Sequence, residues 1–251
     1  MDRKILIGAL ALQLSALPAI AETGCAAQSG PGTTALVELY TSEGCSSCPP
    51  ADRWIAGLPN GALPLAKVVP LAFHVDYWDY LGWKDEFADP GHARRQAWLA
   101  ALNGRRTSYT PHFFVAGAEV LDWRGRIAGE IAKVGAGGTA ARIEVSASPA
   151  GANRLAITTR ATADNAQAQL FVAVTESGLV TAVRAGENRG ATLRHDHVVR
   201  ALLGPLPLGE ATREVALGAG WQCERLRIAA FVQDLRTGRV LQAVATERCS
   251  L

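Results

Sequence analysis

The chain has 251 residues, 49% of them hydrophobic and 19% charged, with 25 Lys and Arg against 23 Asp and Glu and a formal net charge of +2. That balance excludes a disordered polyelectrolyte, which needs low hydrophobicity and high net charge. It also argues against a dedicated nucleic-acid binder, which needs a basic excess or stripe. The length suits one or two domains, each able to bury a core.

Residues 1–21 read as a secretory signal: Arg3 and Lys4, an apolar run from Ile5 to Leu17, and small residues at Ala19 and Ala21 before a cleavage point after Ala21. The alternative is an uncleaved anchor. With cleavage the mature chain is periplasmic or secreted, and no later stretch is long and apolar enough to span a bilayer. Residues 22–33 are expected to form a flexible leader. All five cysteines follow the cleavage point, so they would meet an oxidising compartment, and the odd count leaves one thiol over.

The segment 34–138 mixes helix and strand signals. Thr34–Thr41 is a β-rich run, and Cys48–Leu58 opens on two prolines, which the first turn of a helix tolerates. Val68–Asp76 is a second apolar run. Strand, helix and strand in that order predict a parallel βαβ unit. Gly91–Leu102 has helical spacing, Phe113–Ala116 and Glu119–Leu121 flank Gly117 as a hairpin, and Gly125–Val134 predicts a last helix. The segment 139–251 reads as short strands rich in Val, Ile, Leu and Thr, separated by turn residues. That pattern suggests a β-sandwich.

The sharpest motif is Gly44-Cys45-Ser46-Ser47-Cys48-Pro49. Two cysteines this close form a small disulfide ring, and a helix starting at them stabilises a thiolate through unpaired N–H groups and the helix dipole. Cys45 is the expected nucleophile and Cys48 the resolving thiol. A zinc site would need two further ligands, and no second C-x-x-C or close His pair is present. Downstream, Tyr109-Thr110-Pro111 enters a strand, where a proline invites a cis bond.

VELYTSEGCSSCPP at 37–50, the run near 68–76 and YTPHFFVAGAEV at 109–120 resemble the thioredoxin superfamily. The wider pattern, including FHVDYWDYLGWKDEF at 73–87 and GENRGATLRHDHVVR at 186–200, resembles an exported bacterial thioredoxin-like family known as a domain of unknown function. The resemblance implies an α/β thioredoxin-like domain at 34–138, followed here by an all-β sandwich-like domain. It also implies that Pro111 faces Cys45, that the Thr110 backbone pairs with an extended substrate, and that Glu38 is a buried acid relaying a proton to Cys48. The Ser46-Ser47 dipeptide departs from both the Gly-Pro of thioredoxins and the Pro-His of strong oxidants. A potential between about −270 and about −120 mV is expected.

His74 and Asp76 share a face by strand alternation and are candidates for tuning Cys45. Tyr77, Trp78, Tyr80 and Trp83 are expected to pack over the core or to wall a substrate groove, with Trp78 a binding candidate. Arg94-Arg95 read as a solvated face and His195-Asp196-His197 as a surface strand. Cys223 and Cys249 flank the last hairpin in nearly opposite register, which predicts a structural disulfide and leaves Cys25 as the odd thiol.

The function expected is thiol–disulfide exchange on protein or small-thiol substrates, with no metal or organic cofactor and no nucleic-acid partner. One alternative is a metallochaperone in which Cys45, Cys48 and His74 hold a soft ion such as Cu(I). Another is a non-enzymatic binding protein with a permanent Cys45–Cys48 bridge.

Overall fold

The computed structural model describes residues 24–59 and 63–250, so the secretory signal expected at 1–21 lies outside the described residues. In chain order the elements begin with β1 (Cys25–Gln28), β2 (Ala35–Thr41), α1 (Pro49–Ala56), β3 (Val68–His74) and α2 (Pro90–Leu102). There follow β4 (His112–Val115), β5 (Ala118–Glu119), α3 (Trp123–Gly135), β6 (Ala141–Pro149), β7 (Arg154–Ala163) and β8 (Ala168–Glu176). The chain ends with β9 (Leu179–Ala182), β10 (Thr192–His195), β11 (Val198–Leu206), β12 (Gly209–Ala216), β13 (Leu226–Asp234) and β14 (Val240–Ala245). Proline at the start and an Asp cap set the entry of α2, where the Asp89 side chain accepts from Gly91 N at 2.6 Å.

Eight strands form one sheet in the order β14-β13-β8-β11-β3-β2-β4-β5. This overturns the expected α/β thioredoxin-like domain followed by a separate sandwich. The protein is mainly β, and strands from both halves of the chain lie side by side in one sheet. The joint is β11 against β3, parallel, with Val198 opposite Ala72 and Ala72 N donating to His197 O at 2.9 Å. The physical reason lies in β8 and β13, which are apolar on both faces. Leu170, Val172 and Val174 of β8 pack toward a four-stranded sheet, β1-β6-β7-β12, whereas Phe171 and Ala173 pack toward α2. A sandwich strand has one wet face. These have none and need cover on both sides.

The layers follow from strand alternation. On one face of the long sheet, α1 and α3 cover Ala35, Val37 and Leu39 of β2, while the four-stranded sheet covers β8, β11 and β13. On the opposite face α2 lies over Leu36, Tyr40, Phe73 and Phe231. The βαβ reading of β2, α1 and β3 is what forms, with Ala35 opposite Val68 through Thr41 opposite His74 in parallel register.

Two further expectations are corrected here. Cys25 lies in β1, a strand paired with β6 where a loose leader was expected, and is disulfide-bonded to Cys249, with Cα atoms 4.7 Å apart. Cys223 is the free cysteine, so the predicted Cys223–Cys249 bridge does not form. Cys223 falls in a short 3-10 turn (Cys223–Arg225) ahead of β13 instead of in the ladder, which removes it from the register that the hairpin arithmetic assumed. Arg95 is likewise no solvated residue. It is buried on α2, pairing through Nε and Nη2 with Glu38 at 2.7 and 3.0 Å.

Candidate functional site

Cys45 and Cys48 are joined as a disulfide, with Cα atoms 5.4 Å apart. The chain enters α1 through consecutive turns. Cys45 N donates to Ser42 O and Cys48 N to Cys45 O, each at 3.2 Å, and Ala51 N and Asp52 N donate to Cys48 O at 2.8 and 3.0 Å. Cys48 is therefore the N-cap residue of α1, and Cys45 lies just ahead of the helix, where the N-terminal field favours a thiolate.

Neither cysteine has exposed surface; both are at 0%. One cover is the loop joining β9 to β10. Glu187 Oε2 accepts from Ser46 N at 2.9 Å and Ser46 Oγ at 2.8 Å, and Asn188 Nδ2 donates to Glu43 O at 2.8 Å and Cys45 O at 2.9 Å. The Ser46 backbone N–H holds the Glu187 carboxyl below its usual range. Gly186 sits in the left-handed region at φ +73°, and a Cβ there would lie 3.8 Å from Gly44 Cα, so the loop backbone rests on the motif backbone.

The other wall carries Thr110, which the resemblance pointed to, and Trp78 of the aromatic cluster. Cys45 Sγ lies 3.3 Å from Ser47 Oγ, and Ser47 Oγ lies 3.5 Å from Thr110 O. Trp78 Nε1 donates to Thr110 Oγ1 at 2.7 Å. The Thr110–Pro111 bond is cis. Thr110 and Trp78 thus lie beside the cysteine motif, with the Thr110 carbonyl facing the serine between the sulfurs and Pro111 following it through the cis bond.

Beside α1 lies a buried acid–base cluster: Glu43, Asp52, His74, Asp85 and His195. His74 Nδ1 meets Asp85 Oδ2 at 2.7 Å, and the same oxygen accepts from Glu43 N at 2.9 Å. The Glu43 carboxylate accepts from Trp83 Nε1 at 2.7 Å and meets His195 Nε2 at 3.0 Å. Thr41 Oγ1 donates to Asp52 Oδ1 at 2.7 Å. The His74 and His195 rings meet edge to face at 4.9 Å, and His74 Nε2 and His195 Nδ1 are buried with no hydrogen-bond partner.

Burial pushes the Asp52 carboxyl up, against the pull of His74 and His195. Burial alone would lower His74, but the charge and hydrogen bond of Asp85, with Asp52 and Glu43, outweigh it and hold the imidazole above its ordinary value. Asp85 is lowered because His74 and two backbone N–H groups outweigh its own desolvation. The cluster therefore places a carboxyl that resists ionisation one helical turn beyond Cys48.

Several candidates move. Glu38 is buried, but on the α2 face of β2, opposite to α1. Its oxygens are taken by Arg95 and by Tyr40 Oη at 2.9 Å, so the relay to Cys48 is not built; Thr41 and Asp52 occupy the α1 side instead. Asp76 lies past the end of β3 in the following turn, outside the cluster. His195 is buried against Glu43, 152 residues away in sequence, and is no surface residue. For the soft-metal alternative, His74 Nδ1 is committed to Asp85, and no three His, Cys, Asp or Glu side chains form a metal-holding group among the described residues.

Sequence reasoning missed Asp52, Glu43, Asp85, Glu187 and Asn188. Only Asp52 carried a local signal, its spacing of four from Cys48. The rest are brought in by tertiary contacts.

The family described as "Protein of unknown function (DUF1223)" matches residues 36–233. The chain is similar to a crystal structure of protein AGR_C_4864 from Agrobacterium tumefaciens, with 26% identity, a TM-score of 0.64, and coverage of 89% of this chain and 97% of that one. It shares its fold with HBP35 of Porphyromonas gingivalis at a TM-score of 0.65 and 16% identity, over 88% of this chain and 76% of that chain. No curated protein matches.

Proposed function

Because the chain belongs to the DUF1223 family of proteins of unknown function, we propose its activity from its own site: thiol–disulfide exchange at Cys45 and Cys48, on protein or small-thiol substrates. The observation that carries the reading is the Cys45–Cys48 disulfide at the start of α1, walled by Thr110 and Trp78 and flanked by the buried cluster.

In the reductive direction the Cys45 thiolate attacks one sulfur of a substrate disulfide. That S–S bond breaks, a mixed disulfide forms, and the departing substrate thiolate takes up a proton. Cys48 then loses its proton and attacks Cys45 Sγ; the Cys45–Cys48 bond forms and the second substrate thiolate leaves and is protonated. Two electrons pass from the cysteine pair to the substrate, and the reverse sequence oxidises a substrate dithiol. Cys45 is assigned the first attack because its sulfur touches Ser47, which is exposed, whereas Cys48 caps the helix behind it. Asp52, with a carboxyl pushed up by burial, is suited to accept the Cys48 proton.

The test is turnover of a small disulfide and refolding of a reduced protein by wild type, Cys45→Ser and Cys48→Ser. Cys45→Ser is expected to be inactive, and Cys48→Ser to accumulate a mixed disulfide at Cys45. A Cys45–Cys48 bond that excess dithiothreitol leaves closed in the folded protein overturns the reading and favours a permanent structural bridge.

A further inference from the structure

The long sheet opens at one place. β3 ends at His74, two residues beyond its register pair with β11, while β11 continues to Leu206 with only β8 beside it. The other edge of β11 thus has no strand neighbour for most of its length. Two register shifts, between Val199 and Ala201 and between Leu203 and Leu206, bend the strand there. The N-terminal half of α2 stands off this edge, and the gap is a cavity of about 600 Å³. That volume lies within the ~300–1,000 Å³ of small-molecule sites.

The walls are of two kinds. Trp98, Phe171 and Leu202 supply apolar surface, and three arginines, Arg94, Arg95 and Arg200, line the remainder. Each buried carboxylate partner is on the protein side: Glu38 engages Arg95 through Nε and Nη2, and Glu176 meets Arg200 Nη1 at 3.2 Å. Aromatic rings fix both groups. Arg95 Cζ lies 5.1 Å from the Phe171 centroid, and Arg200 Cζ lies 5.0 Å from Phe87 and 5.2 Å from Trp221. Arg94 is exposed and has no ion-pair partner among the described residues. The acidic residue on the rim, Asp89, is engaged in capping α2. The cavity therefore combines an apolar floor with one exposed guanidinium at its rim, Arg94, that is in no ion pair among the described residues, and such a fork matches anionic oxygens.

We propose that this cavity binds a small amphipathic anion, its apolar body against Trp98, Phe171 and Leu202 and its head on Arg94 at the rim. The site is separate from the cysteine pair and does not depend on its chemistry.

Calorimetric titration of the full protein with octanoate and with octan-1-ol tests it. Octanoate is expected to bind at one site at least about tenfold more tightly than the alcohol, because charge-assisted hydrogen bonds to the head are lost in the latter. Arg94→Ala, at an exposed position, is expected to weaken octanoate severalfold and leave octanol unchanged. Leu202→Trp is expected to abolish both by filling the cavity. Equal affinity for acid and alcohol, no octanoate binding at all, or binding indifferent to both variants overturns the proposal.

Discussion

Asn188→Ala tests whether the β9–β10 loop controls access to the sulfurs. Its Nδ2 donates to Glu43 O at 2.8 Å and Cys45 O at 2.9 Å, and both cysteines are fully covered. A net hydrogen bond is worth about 0.5–1.5 kcal/mol, so losing two shifts the loop toward an open state by about 1–3 kcal/mol. That corresponds to about 5- to 150-fold in the open population. The Glu187–Ser46 contacts persist, which keeps the loop docked most of the time. When opening and closing are fast, the rate at which dithiothreitol breaks the Cys45–Cys48 bond scales with that population. The assay is a time course of reduction, quenched by alkylation and read by mass spectrometry well below the melting temperature. A rate within twofold of wild type, in a variant of unchanged melting temperature, refutes the idea that this cover limits access.

Three further outcomes follow from the geometry. Glu38→Gln leaves buried Arg95 without its carboxylate and is expected to cost about 3–5 kcal/mol in urea unfolding, while the pH dependence of disulfide opening stays as in wild type; a shifted profile would restore Glu38 to the chemistry. Cys25→Ser removes a bridge between residues 224 apart in sequence, which the loop-entropy relation values at about 5 kcal/mol; a melting temperature unchanged by the substitution would contradict it. Burial lowers His197 from its ordinary 6.5 to about 4, so the folded state holds the neutral ring. Stability is then complete above pH 6.5 and is lost as pH falls toward about 4, by about 3 kcal/mol at 1.36 kcal/mol per unit. His197→Asn, tolerated at the left-handed φ of 58°, is expected to flatten that slope in a series of melts between pH 4 and 7.

Local elements were legible where local physics decides them. Pro49 and Pro50 after Cys48 announced α1, and the runs Thr34–Thr41 and Val68–Asp76 announced two parallel strands, which form over Ala35–Thr41 and Val68–His74 and are buried on both faces. The same signal was present in Leu170–Val174, a run without polar alternation, and it argues against a sandwich strand. What alternation could not supply is the neighbour: nothing local to Val198 names Ala72. Arg95 was misread with its exposed neighbour Arg94, although its spacing of four from Leu99 already put it on the inward stripe of α2. β1 was missed because Cys-Ala-Ala-Gln is too short and too plain to show a period. Around the candidate site, the cysteines and the Thr110-Pro111 step were named from motif and resemblance and Trp78 from its aromatic cluster. Glu187 and Asn188 reach Ser46 and Cys45 across 141 and 143 residues, a distance at which sequence pattern carries no contact information.

The joint between β3 and β11 has a bearing on synthesis. When β2, β3 and β4 have left the ribosome, the strand that will flank β3 is still to be made, because Val198 follows its partner Ala72 by more than a hundred residues. Until then β3, a largely apolar strand interrupted only by Pro70, presents an unpaired edge to any passing chain. The nascent N-terminal half is thus committed to waiting for its partner, and its vulnerability to wrong pairing ends only when residues near 198 arrive.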